Sequence, residues 1–293
     1  MKKLIVLAIG FLFITHLKAQ EQSIKDYLDS YIGENAVPYI QPLADLFASN
    51  INTGIWEWSN FDSKLFVRLK VQSMVSFPTN SMRTFQGKTT GDFRPSQTVT
   101  VPTIIGDPNE IVLQGEDTTF YVFPGGFDLK RITTGTPQIT VGGFLHSEFS
   151  ARFLSFPLGD DLGRVRFIGI GGRHSITSYF ENPPFDLSIG YFYHNLQAGT
   201  YLDSDQHLFS AHIGKSGKFF SGQLMIGYQI SDTEIHYTYE DVDQDYDIDL
   251  LLNNENPWIV EANVGLRLGP LFLSGAASYA KHPTVAAGIG LFF

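Results

Sequence analysis

The last residues of the chain alternate strictly between two faces. Val285, Ala287, Ile289, Leu291 and Phe293 share one face, and small residues and one aromatic residue share the other. A soluble protein normally ends in frayed, polar residues. In the closing strand of a membrane β-barrel, by contrast, lipid-facing and lumen-facing residues alternate with period two. The pattern predicts a final membrane-spanning strand that ends on an aromatic residue.

The same alternation recurs throughout the chain from residue 63 onward. In residues 63–77, aliphatic side chains on one face oppose Lys64, Arg68 and Lys70 on the other. The length fits a tilted membrane crossing of about 9–11 residues with an extension. Ten such segments are predicted, at residues 63–77, 138–144, 148–156, 164–174, 185–197, 206–213, 219–239, 258–267, 271–280 and 284–293.

Residues 79–133 break the pattern with prolines and turn residues. They predict a long external excursion, about residues 78–135, with hairpins that would add two or four strands. The expected fold is therefore all-β: an antiparallel transmembrane β-barrel of about 10–14 strands.

Two helices are predicted before the first strand. Apolar residues repeat with helical spacing over residues 24–32, and a second helix is predicted from Pro38 or Pro42 to Phe47. Two interpretations stay open. The helices lie on the periplasmic face, or they form a short N-terminal plug or hatch, residues 20–52, in the barrel mouth.

The N-terminus predicts export. A short basic start, Met1-Lys2-Lys3, precedes a mostly apolar stretch that is too short to span a bilayer. We expect a cleaved signal peptide, residues 1–19, the helical segment 20–52, and a barrel over residues 53–293 in the cell outer membrane of a Gram-negative bacterium.

Loop lengths give the orientation. Outer-membrane barrels have short periplasmic turns, longer outer loops and periplasmic termini. Counting back from Phe293, the Gly269-Pro270 turn falls inside, whereas residues 241–256 and the excursion fall outside.

Charge and composition limit the partners. The formal net charge of −10 argues against nucleic acid, and the absence of cysteine excludes thiol chemistry. The expected partners are outer-membrane lipid, the barrel-assembly machinery, for which Phe293 would be the assembly signal, and a hydrophobic small-molecule ligand. No cofactor is predicted. The alternating aspartates of Asp241–Asp249 fit a solvated acidic loop better than a divalent-ion site, and the sequence assigns no metal ligand.

Charged residues on the inner face are the candidate site. Such rings tune selectivity in pores, but they also fill the interior of small barrels. The lumen-lining candidates are Lys64, Arg68, Lys70, Arg152, Arg164, Arg166, His174, Glu261 and Arg267.

Catalysis is a remote alternative. An outer-membrane lipid hydrolase would need a serine, a histidine and an acidic or amide group within reach, and His174-Ser175 is the first pair to inspect. No spacing identifies a triad, so we predict a protein that is not an enzyme and assign no catalytic residue.

Several stretches carry a family resemblance. They are Tyr31 to Ala36, Pro42 to Asp45, Asn52-Thr53-Gly54, Pro137 to Gly142, Gly171 to Ile176 and Pro184 to Ser188. The chain resembles a poorly characterised outer-membrane barrel family, which is remotely similar to the long-chain fatty-acid transporters of that membrane. The resemblance implies an N-terminal hatch and passage of hydrophobic small molecules.

The leading functional prediction is a transport or channel-type barrel for hydrophobic or amphipathic small molecules. The alternative is a structural or adaptor barrel in a surface or secretion assembly.

Overall fold

The computed structural model describes residues 33–61, 64–159, 163–240 and 245–293. The predicted signal peptide and the helix predicted over residues 24–32 lie outside these residues. The described helix, α1, spans Ala36–Ile51, with Pro42 inside it, so it begins before the predicted start. Within the described ranges, no helix combines the length and the hydropathy that a membrane crossing requires.

Ten long antiparallel strands form a closed ring. The barrel strands, in chain order, are β1 (Phe66–Ser76), β6 (Ile132–Phe144), β7 (Ser147–Gly159), β8 (Gly163–Ser175), β9 (Asp186–Ala198), β10 (Leu202–Ser216), β11 (Phe220–Glu240), β13 (Trp258–Leu268), β14 (Leu271–Tyr279) and β15 (Pro283–Phe292). The predicted range of about 10–14 strands narrows to ten. Closure is made where β1 pairs with β15 and where β10 pairs with β11.

The excursion adds hairpins outside the ring. They are formed by β2 (Thr84–Lys88) with β3 (Thr98–Pro102), and by β4 (Ile111–Gln114) with β5 (Phe120–Phe123). The remaining strand, β12 (Asp245–Asn253), pairs with residues 232–240 of β11, and β13 pairs with residues 220–228 of β11. The predicted strand 219–239 is therefore one continuous strand that rises beyond the barrel.

Helix α1 packs on these hairpins, and together they form what we call the cap. Tyr39 and Leu46 are buried in a cluster with Met82, Val101 and Phe123. The Tyr39 hydroxyl donates to the Gly125 carbonyl at 2.8 Å. The cap lies at the end of the barrel opposite Phe293, because β1 runs from Phe293 towards the excursion. The described helix is thus not on the face where the chain ends.

The outer wall is apolar. Large side chains that face outward from the strands are exposed to between 39% and 61%; examples are Val71, Val141, Phe149, Ile170, Ile189, Phe209, Leu224, Val264 and Ile289. Exposed aromatic residues collect near the two ends of this surface: Phe144, Tyr179, Phe180, Phe219 and Phe293 at the C-terminal end, and Phe77, Tyr228, Trp258 and Tyr279 towards the cap. The inner face is polar, so the two faces have opposite character.

Candidate functional site in the barrel interior

Residues 52–61, which we call the lumen segment, pass through the barrel from the C-terminus of α1 to the start of β1. Near the cap, the Thr53 and Ser278 hydroxyls are 2.6 Å apart. At the other end, the backbone N–H of Ser59 donates to the hydroxyls of Ser216 and Ser221 at 3.1 Å. The segment therefore contacts the wall along the length of the lumen.

Wall side chains donate to the main-chain carbonyls of this segment. Lys70 Nζ donates to the Gly54 carbonyl at 2.9 Å, and Gln138 Nε2 donates to the Ile55 carbonyl at 2.9 Å. Gln223 and Arg173 donate to the carbonyls of Trp56 and Trp58. An extended segment has no secondary-structure partners for its carbonyls, and a buried carbonyl without a donor is costly. The amide and cationic side chains of the wall meet this need.

Arg152 holds the start of the segment. Its Nη1 donates to the Ile51 carbonyl at 2.7 Å and its Nη2 to the Gly54 carbonyl at 3.2 Å. Its Nε donates to Gln138 Oε1 at 2.9 Å. Glu261 accepts from the Gly54 N–H at 2.8 Å on another part of the wall.

Ion pairs connect the segment to β1 and, through Glu148, to β7 and β8. Glu57, on the lumen segment, lies 2.7 Å from Lys70 Nζ and 3.4 Å from Arg68 Nη1. Arg68 also pairs with Glu148, and Arg173 Nη2 lies 2.6 Å from the other oxygen of Glu148. All five side chains are buried. Removing one member of such a network leaves a buried charge uncompensated.

The lumen also contains an apolar cluster. Trp56 packs edge-on against Phe192, with ring centroids 5.7 Å apart, and belongs to a buried cluster with Leu208, Met225 and Ile259. Polar atoms near this cluster are imperfectly satisfied: in the described residues, Trp56 Nε1 and both ring nitrogens of His194 have no hydrogen-bond partner. The interior is thus amphipathic: apolar side chains lie beside buried cations, with the Arg173 guanidinium 5.4 Å from the centroid of the Trp56 ring and that of Arg152 5.7 Å from the centroid of Phe192.

Little space remains around the segment. A gap of about 170 Å³ lies among Gly54, Glu57, Gln72 and Asn263, and it is too narrow to admit a water molecule. The large apolar grooves, of about 780 Å³ and 760 Å³, are lined mainly by outward-facing residues such as Phe149, Tyr191 and Leu224.

The structure places six of the nine predicted lumen residues in three groups. Arg68, Lys70, Arg152 and Glu261 face inward and are buried. Arg267 faces inward at the C-terminal mouth, where its guanidinium lies 3.7 Å from the centroid of the Phe292 ring. Lys64 precedes β1 and is exposed, so it does not line the lumen.

The predicted positions of Arg164, Arg166 and His174 are wrong. Along β8 the odd-numbered residues Phe167 and Arg173 are buried, so even-numbered residues face outward. A register shift of one residue exchanges the two faces of a strand. Arg164 and Arg166 continue the outer face of Ile168 and Ile170 towards the cap end, and His174 lies on that face at the C-terminal end.

The sequence did not identify Glu57, Glu148 or Arg173 as interior residues. On β8 the available signal was side-chain size, since Ile168 and Ile170 face outward while Gly169 and Gly171 face a crowded interior. Nothing in the alternation could have found Glu57, because it belongs to no strand.

His174 and Ser175 do not form a catalytic pair, since neighbouring strand residues face opposite sides. His174 Nδ1 lies 2.8 Å from the Ser147 hydroxyl, and its Nε2 lies 3.1 Å from the Tyr179 hydroxyl. Both ring nitrogens are thus engaged by hydroxyls, and in the described residues no carboxylate contacts this ring to complete a triad.

The predicted acidic loop is partly strand. Asp245–Asn253 form β12, and Asp249 accepts a 2.6 Å hydrogen bond from His236 on β11. Residues 241–244 lie outside the described part of the chain. Among the described residues, no group of three or more acidic or histidine side chains is arranged to hold a metal ion.

A closed antiparallel barrel with an apolar outer face and a polar interior has the architecture of outer-membrane β-barrels. The chain belongs to the Family of unknown function (DUF6588), whose model matches residues 1–293. The predicted resemblance to a poorly characterised family is therefore confirmed. No curated protein matches the chain.

Solved structures similar to this fold are outer-membrane barrels. The transport unit of the autotransporter AIDA-I from Escherichia coli is 8% identical, with 87% of this chain and 97% of that chain covered and a TM-score of 0.29. The toluene transporter TbuX of Ralstonia pickettii is 11% identical, with 87% and 94% covered and a TM-score of 0.25. A FadL homologue of Pseudomonas aeruginosa is 7% identical, with 85% and 96% covered and a TM-score of 0.24. Likeness at this level does not transfer a function.

Proposed function

We propose that this protein is an outer-membrane β-barrel of the transport type, in which the lumen segment is a gate for hydrophobic or amphipathic small molecules. The observation that carries the proposal is that a chain segment, rather than wall side chains alone, fills an amphipathic lumen.

The membrane location is supported by the two faces of the wall. A closed ring leaves no unpaired strand edge, which is a requirement for a β-structure in lipid. An exposed apolar surface that encircles the molecule would be an aggregation hazard in water. The short turns at residues 145–146 and 269–270 lie at the Phe293 end, and the cap lies at the other. This arrangement supports a periplasmic C-terminus and an external cap.

Gating is supported by how the segment is held. Its contacts are side-chain hydrogen bonds, ion pairs and the packing of Trp56 and Trp58, and it has no ladder of strand hydrogen bonds with the wall. Such contacts can be exchanged for contacts with a solute. The amphipathic lumen favours amphipathic solutes over purely apolar ones.

A reducible lock tests the gate. The chain has no cysteine, so Thr53→Cys with Ser278→Cys replaces two touching hydroxyls by the one thiol pair in the protein. The lock is combined with Trp56→Ala, which removes about 3–5 kcal/mol of packing and should loosen the segment.

Ion conductance in planar bilayers is the readout. We expect no conductance from the wild type and measurable conductance from Trp56→Ala. In the combined variant, oxidation of the cysteine pair should abolish this conductance and reduction should restore it. Each single cysteine variant is a control that should not respond to oxidation. The variant that combines Trp56→Ala with the reduced cysteine pair is the decisive case. If its heat-modifiable migration on gels shows that it is folded, but it does not conduct, the gate is refuted.

The second candidate is an adaptor barrel, and one feature of the cap favours it. Val112 and Val122 lie opposite each other on the hairpin β4–β5, next to Phe120, and all are well exposed. An apolar patch on a water-facing hairpin is typical of an interaction surface. Phe120→Ser with Val122→Ser should then abolish retention of a surface partner while leaving the barrel folded. Unchanged retention would exclude this patch as the interaction surface.

A further inference from the structure

The Glu57 carboxylate occupies an anion-binding site that buried cationic side chains of the lumen wall form. Its oxygens lie 2.7 Å from Lys70 Nζ and 3.4 Å from Arg68 Nη1, and all of these side chains are buried. The Arg68 Nε has no acceptor among the described residues. The wall thus offers more donor capacity at this point than Glu57 uses.

The charge of the wall depends on the segment. Four buried cations, Arg68, Lys70, Arg152 and Arg173, face the interior together with Glu148 and Glu261. Glu57 is the single charged residue of the lumen segment. When the segment moves away, the described wall is left with an excess of two positive charges, and uncompensated buried charge is costly. A vacated lumen therefore favours an anion.

The same wall carries the donors that bind main-chain carbonyls. Lys70, Gln138 and Arg152 donate near one end of the segment, and Gln223 and Arg173 donate further along. A row of donors along an extended path matches the acceptor spacing of a peptide backbone. A simple hydrocarbon chain would leave these donors unpaired, at a cost for each.

We infer that Arg68 and Lys70 form the binding site for the carboxylate of an extended, peptide-like solute, and that the lumen segment with Glu57 occupies this site in the closed state. The inference rests on the proposed gate, and it specifies the solute: a short acidic peptide or a compound with similarly spaced acceptors. The apolar cluster around Trp56 would accommodate its apolar side chains.

The test uses the full-length protein with Glu57→Gln, which keeps the shape of the side chain and removes its charge. We expect this variant to conduct in planar bilayers and to select anions, as read from the reversal potential in a KCl gradient. Glu110→Gln is the matched control, because Glu110 is exposed in the cap. It removes the same charge outside the lumen and should stay silent.

Peptide block identifies the site. A capped peptide with the sequence of residues 53–59 should block the Glu57→Gln channel. The same peptide with glutamine at the position of Glu57 should block about tenfold more weakly, the loss expected for one charge-assisted contact. Adding Lys70→Met to the channel should abolish the difference between the peptides.

The outcomes separate the two proposals. If Glu57→Gln and Trp56→Ala are both folded and silent, the gate is wrong and this inference fails with it. If Glu57→Gln conducts but prefers cations, or if both peptides block equally, the anion site alone is refuted. Decanoate that blocks as well as the acidic peptide would also overturn the peptide-like assignment.

Discussion

The backbone N–H of Gly54 donates a 2.8 Å hydrogen bond to Glu261 Oε2, which ties the lumen segment to β13. Gly54 has a φ of +69°, and a Cβ added there would lie 3.0 Å from the Cβ of Ala286. The segment therefore turns into the lumen at a position that suits glycine for two independent reasons, conformation and space.

Gly54→Ala should lower the free energy of unfolding by about 1–2 kcal/mol from the left-handed conformation alone, and by more from the crowding at Ala286. Gly91→Ala is the matched control, because Gly91 has a φ of +68° with nothing near its Cβ position. Chemical denaturation in detergent, followed by tryptophan fluorescence, compares the two. Equal losses would show that the contact with Ala286 does not matter.

Arg152→Met should destabilise the protein by about 3 kcal/mol or more, because the Ile51 carbonyl loses its Arg152 donor, the Gly54 carbonyl loses one of its two donors, and a buried charge is removed. Arg164→Met makes the same chemical change at an exposed outer position and should cost less than about 0.5 kcal/mol. Thermal unfolding of the two variants decides which arginine belongs to the interior. A larger loss for Arg164→Met would reverse the assignment of faces on β8.

The turn at residues 280–282 should weaken in acid. Burial, together with nearby Lys281, lowers the pKa of His282 to about 4 from its ordinary value of 6.5. Between these values the unfolded chain binds a proton that the folded protein does not, so stability falls as pH decreases from 6.5 to about 4. His282→Gln should flatten this part of the pH profile of thermal stability. A slope that the substitution leaves unchanged would contradict the prediction.

The hairpin formed by β11 and β12 should respond in the opposite direction. The hydrogen bond to Asp249 raises the pKa of His236 above 6.5. The stabilisation is complete below 6.5 and is lost as pH rises through the raised pKa. Wild type and His236→Gln should therefore differ in resistance to proteolysis of the hairpin at mildly acidic pH and converge at alkaline pH. No difference in acid would exclude the pairing.

The two terminal phenylalanines should have separable roles. The Phe293 side chain is exposed, and its backbone N–H donates to the Val67 carbonyl at 2.8 Å. Phe292 faces inward and stacks on Phe66, with centroids 5.3 Å apart. Phe293→Ala should reduce insertion in cells while refolding in detergent is unchanged, as we expect of an assembly signal. Phe292→Ala should lower stability in detergent. Normal insertion of Phe293→Ala would show that Phe293 is not an assembly signal.

Much of the barrel could be predicted because a strand records its two environments locally. Arg68, Lys70 and Glu261 alternate with aliphatic neighbours, so the sequence of each strand predicts its polar and its apolar face. The wrong prediction for β8 has the same origin. Near a strand end the outer positions lie beyond the apolar layer and are also polar. The polarity of Arg164 and Arg166 therefore did not indicate an inward-facing position.

Local alternation was enough to predict an antiparallel barrel of about 10–14 strands, the position of the excursion and the apolar outer face, because alternation is set by nearest neighbours along the chain. The strand number of ten and the content of the lumen became known from the three-dimensional structure. The contacts of Glu57 with Lys70, and of Gly54 with Glu261, join residues from different parts of the chain. Such contacts depend on barrel closure and strand register, which no local period encodes. The position of the lumen segment therefore could not be predicted from the sequence pattern.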